Sequence, residues 1–105
     1  MKPNLEIDKN TDVAFLDVEE AAPKARIRMI DVSEQLGLHS QVMARVDIEN
    51  KVFLGLMIED YRAFRREIRT KYVAWHVERI MELIVSSVRG IVSQKTADEH
   101  MLVHV

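Results

Sequence analysis

The chain has 105 residues and a mass of 12.2 kDa, which suits one domain around one core. Apolar residues make up 48% and charged residues 30%, which excludes a disordered composition, and a net charge of −2 excludes a global basic signature for nucleic acid. No cysteine is present, so disulfides, thiolate zinc sites, iron–sulfur clusters and a cysteine nucleophile are excluded.

No apolar run approaches the ~20 residues needed to cross a bilayer. The start, Met1 to Asn10, carries charges where a secretory signal needs an apolar stretch. The expectation is a cytoplasmic protein with no membrane contact. Three glycines are too few for a glycine-rich phosphate loop. Charge is unevenly spread: residues 1–23 hold six acids and two lysines, whereas residues 59–95 hold eight bases and five acids. The two ends therefore attract each other, within one chain or between two.

Lys2 to Asn10 reads as a loose start, held at most by Leu5 and Ile7. Asp12 to Val18 is a short apolar run with turn-type flanks and predicts a strand. Glu19 to Lys24, with Pro23, is a connection. Ala25 to Val32 is read as a strand, with a helix as the alternative. Ser33 to Leu38 has a capping-type serine and a terminating Gly37, enough for one helical turn.

Gln41 to Ile48 alternates, with Val42, Ala44, Val46 and Ile48 facing one way. After the polar break Glu49-Asn50-Lys51, Val52 to Ile58 is nearly all apolar. The pair predicts an antiparallel hairpin over about 41–58, its second strand central and buried on both faces. Gly55 predicts a bulge or a close backbone approach.

From Glu59 to Ser93 the period is helical, and Glu59 and Asp60 suit a helix start. One straight helix over 59–93 would be about 52 Å long. A domain of this size is roughly 35 Å across. The helix therefore breaks or projects. Tyr61, Phe64, Ile68, Tyr72 and Trp75 form one narrow stripe. Val73, Val77, Ile80, Met81, Ile84, Val88, Ile91 and Val92 form a second, broader one, rotated by about 130° at 100° per residue. A bend near Thr70–Val73 reconciles them. The first stripe is expected to cover the hairpin, and the second to seal a helix–helix interface between copies. Thr96 to Val105 reads as a loosely ordered tail, with a short strand at Met101–Val105. The fold class is α+β: one domain over 1–105, with a small antiparallel sheet and one long or bent C-terminal helix.

Candidate sites are few. Arg62, Arg65, Arg66 and Arg69 share one side of the helix start, with Lys71 nearby. Guanidiniums at these spacings suit phosphate oxygens or nucleic acid, with Tyr61 and Phe64 placed to stack on bases. The alternative is a solvated face whose arginines pair with Glu67 or with the acidic N-terminal segment. His100 and His104 are weak metal candidates, four residues apart, too few to make a site alone. His76 is expected to be a packed side chain. No nucleophile or carboxylate pair stands in a catalytic context, so no catalytic residue and no cofactor is assigned. Met29, Met43, Met57, Met81 and Met101 suit adaptable packing or a partner surface.

Val42 to Arg69 resembles the closing hairpin and helix of PilZ domains. There a glycine precedes an apolar-apolar-acid strand end and a helix, as in Gly55-Leu56-Met57-Ile58-Glu59-Asp60. The resemblance implies a six-stranded barrel that binds cyclic di-GMP. The family's RxxxR motif precedes the sheet, whereas Arg62…Arg66 and Arg65…Arg69 follow the hairpin. Asp31-Val32-Ser33 approaches its Asp-x-Ser-x-x-Gly, but Gly37 falls one residue late. No ligand-binding residue is carried over, and the implied state is a degenerate domain without the nucleotide.

The functional expectation is a non-enzymatic interaction or regulatory module. It acts as a homo-oligomer, dimer or tetramer, through Val73, Val77, Ile80, Met81, Ile84, Val88 and Ile91. Nucleic-acid or phosphate binding through Arg62, Arg65, Arg66 and Arg69 is the alternative.

Overall fold

The computed structural model describes the backbone of residues 4–73 and 76–103, and the side chains of 4–73, 76 and 78–95. Within them the order is β1 (Asn4–Asp8), β2 (Val13–Asp17), β3 (Ile27–Asp31), α1 (Ser33–Leu36), β4 (Val42–Asp47), β5 (Val52–Ile58), α2 (Tyr61–Lys71) and α3 (Val77–Val103). Every strand pair is antiparallel, and the order across the sheet is β1-β2-β5-β4-β3. This is an α+β domain with a long C-terminal helix. The described residues do not form the closed barrel that the PilZ resemblance implies: the sheet has five strands, and its edges β1 and β3 do not pair.

β5 is the middle strand because its apolar run supplies side chains to both faces. Its register slips against β4 between Arg45 and Val46. Beside the slip, a Cβ on Gly55 would stand 2.1 Å from the Leu16 carbonyl oxygen, so no larger residue fits. Arg45 and Asp17 flank Gly55 in one cross-strand row and meet at 2.9 Å, spanning β5 where it has no side chain. The β4–β5 turn is tied by Asp47, whose carboxylate accepts the Asn50 side-chain amide at 2.7 Å and the N–H groups of Glu49 and Asn50. The Asn50 side chain gives the largest favourable contribution, and Asp47 is held below the usual aspartate range.

One sheet face carries the core. Ala14, Leu16, Val42, Ala44, Leu56 and Ile58 lie buried beneath Tyr61, Phe64 and Ile68 of α2 and the inner side of α3. The helical region is divided rather than continuous. α2 ends at Lys71 and α3 begins at Val77, with neither glycine nor proline between them. The two apolar stripes point in different directions, so a straight helix could bury only one on the same sheet.

Residues 4–8 add a strand to the sheet edge, and α3 runs as helix to Val103, without the short strand expected at 101–105.

Candidate anion-binding site

α2 has three working sides, set by its sequence. Tyr61, Phe64 and Ile68 face the core. Glu67 and Lys71 face the segment that links α1 to β4. Arg62, Arg65, Arg66 and Arg69 occupy the remaining flank and are all exposed.

The start of α2 is anchored by two aspartates. Asp60 caps it, accepting the Ala63 N–H at 3.1 Å. Asp12, in the β1–β2 turn at φ 58°, accepts the Tyr61 N–H on its carbonyl at 2.9 Å. Its carboxylate takes the Arg62 N–H at 3.2 Å. The first turn's amides are thus occupied by protein groups, and the arginine side chains are what remains for a ligand.

On the second side, Glu67 accepts the His39 N–H at 2.7 Å, the Ser40 N–H at 2.9 Å and the Ser40 hydroxyl at 2.8 Å. Burial pushes this carboxyl up, but those donors and the nearby His39 outweigh it and hold Glu67 below the usual glutamate range. The Lys71 ammonium donates to the carbonyls of Leu36 and Gly37, each at 3.2 Å, closing the end of α1.

The docking of α2 against the β1–β2 turn creates an open groove of about 820 Å³, lined by Ile7, Lys9, Asp12, Tyr61 and the four arginines. Five cationic groups meet one carboxylate there. Among the described residues, none of the five has an ion pair or a side-chain hydrogen bond. Of the acids expected to neutralise them, Glu67 binds the 39–40 loop, Asp17 binds Arg45 and Asp8 accepts the Asn10 N–H, while Asp12, in the groove wall, accepts the Arg62 backbone N–H.

Sequence reasoning found the four arginines but not Lys9, Ile7 and Asp12. The placement of the β1–β2 turn beside α2 depends on contacts 50 residues apart. The base-stacking role suggested for Tyr61 and Phe64 is corrected: they are 6% and 0% exposed, packed on the sheet.

The second stripe also has a different setting. Ile80, Met81, Ile84 and Val88 are buried inside the single chain, joined by Val85 and Val92. The sheet already covers the surface that suggested a partner helix. Ile91 is half-buried, Val73 is exposed, and the side chain of Val77 lies outside those described. His76 is exposed at the start of α3, not packed. The side chain of His100 and all of His104 lie outside the described residues. No helix among the described residues is long and apolar enough to cross a membrane. No family model, curated protein or solved structure matches the chain.

Proposed function

We propose that the chain is a non-enzymatic binding module whose working surface is the arginine flank of α2, and that it takes a phosphate-bearing polyanion. The observation that carries this is the groove itself: five cationic groups and one carboxylate on one surface, no cation ion-paired among the described residues, while Glu67 and Asp17 are engaged elsewhere. The arrangement costs stability. Arg62/Arg66 and Arg65/Arg69 are like charges four apart on a helix, each pair unfavourable by about 0.2–0.5 kcal/mol. An anion in the groove reverses that cost, and guanidinium forks match phosphate oxygens.

Retention on phosphocellulose at neutral pH tests the reading. A chain of net charge −2 should pass such a resin unless a local patch holds it. Retention that the double variant Arg62→Glu/Arg66→Glu abolishes supports the proposal; a wild-type chain that flows through removes it.

Self-association is a second reading, supported by two exposed apolar residues. Val73 is 83% exposed and Leu83 39% exposed. Leu83 lines a small cleft with Leu36 and Tyr72. A one-chain mass by light scattering at low and high salt removes this reading.

A further inference from the structure

Resting on the polyanion reading, we infer that the groove grips the sugar-phosphate backbone of double-stranded nucleic acid and does so without reading bases.

The arginines stand at i, i+3, i+4 and i+7, so they run for about 10 Å along α2. That span reaches more than one phosphate of a strand, whose charges repeat about every 3.4 Å of duplex axis. Lys9 approaches from the opposite wall, on the β1–β2 turn. A concave groove receives a convex ridge. On a duplex the ridges are the backbones, whereas base edges lie on the groove floors.

Single strands gain their affinity for such surfaces largely from bases stacking on aromatic rings. Here the aromatic residues beside the arginines, Tyr61 and Phe64, are committed to the core. Without stacking, charge density decides, and the duplex carries more charge per unit length than a single strand. A membrane surface fits less well. A bilayer is flat where the groove is concave, and the apolar face of α2 is already buried against the sheet, leaving little to insert. Contacts limited to phosphates position a protein but carry no sequence information.

The test is fluorescence anisotropy on the full chain. The probes are two labelled DNA duplexes of unrelated sequence, about 20 base pairs each, long enough to cover the arginine row several times. One of the constituent single strands and phosphatidylserine vesicles complete the set. Both duplexes should bind alike and more tightly than the single strand. Raising salt from 50 to 200 mM should weaken binding on the order of 100-fold, as four to five phosphate contacts require. Arg62→Glu/Arg66→Glu should abolish binding while leaving the circular-dichroism spectrum and melting temperature no lower than those of wild type.

Tighter binding of the single strand, strong preference for one duplex, or vesicle binding in place of duplex binding overturns the inference. Retention on phosphocellulose without duplex binding overturns it too, yet leaves the polyanion reading standing. Loss of both means that the reading itself has failed.

Discussion

Glu67 and Ser40 are joined twice, the carboxylate accepting both the hydroxyl, at 2.8 Å, and the N–H, at 2.9 Å, of the serine. This contact ties the middle of α2 to the segment entering β4. It also removes from the arginine flank the acid nearest to it in sequence. Glu67→Gln should therefore destabilise the fold by about 1–3 kcal/mol, because the amide turns a donor toward donors already in place. Urea unfolding measures this. An unchanged midpoint would mean that the loop bonds contribute nothing net.

The acid limb of stability follows from three carboxylates held below their usual range. For Asp31 the leading cause is the Ser33 N–H, which donates to its carboxylate at 2.9 Å. For Asp47 it is the Asn50 side chain. For Glu67 three donors overcome the burial that would raise it. A lowered folded-state pKa means that the unfolded chain binds more protons, so stability rises with pH across that window. The contribution is complete above the unfolded values, about 3.9 for Asp and 4.3 for Glu, and disappears as pH falls through the folded ones. Melting temperatures should fall steeply below about pH 4, and Glu67→Gln should flatten part of that slope. A flat profile from pH 6 to pH 3 contradicts it.

The glycines separate a required residue from a dispensable one. Gly55→Ala places a Cβ 2.1 Å from the Leu16 carbonyl oxygen, a backbone atom of β2, so the main chain must move. The loss should reach the upper part of the usual single-substitution range, about 3 kcal/mol. Gly90 is exposed within α3, with nothing within 4 Å of an added Cβ. Gly90→Ala should stabilise by about 0.5–1 kcal/mol. Thermal melts of the two variants should move in opposite directions.

Ile84 distinguishes core from interface. It is 5% exposed inside one chain. Ile84→Ala should cost about 2–5 kcal/mol, with a melting temperature independent of protein concentration. A concentration-dependent transition would return α3 to the role of an interface between copies.

Much of the sheet was legible because its signals are local. Alternation at Val42, Ala44 and Val46 and the apolar run 52–58 marked β4 and β5, and Gly55 marked the close approach that occurs there. The rotation between two apolar stripes located the break after Lys71, although no glycine or proline announces it. β1 escaped because all five of its residues are exposed, so burial leaves no pattern in its sequence. The apolar stripe of α3 was visible, but what covers it was not. A 3.6-residue period shows that a face is buried and is silent on whether sheet or partner buries it. The same limit applies to the groove: four arginines share a helix flank by spacing alone, while Lys9 and Asp12 reach it only through the fold.

The account stands or falls on where a small polyanion binds. A ¹H–¹⁵N correlation titration of the full chain with inorganic tripolyphosphate reports this residue by residue. Shifts confined to the 9–12 turn and residues 61–69, and absent in Arg62→Glu/Arg66→Glu, are the predicted result. Shifts centred elsewhere on the sheet, or none at millimolar tripolyphosphate, would contradict it.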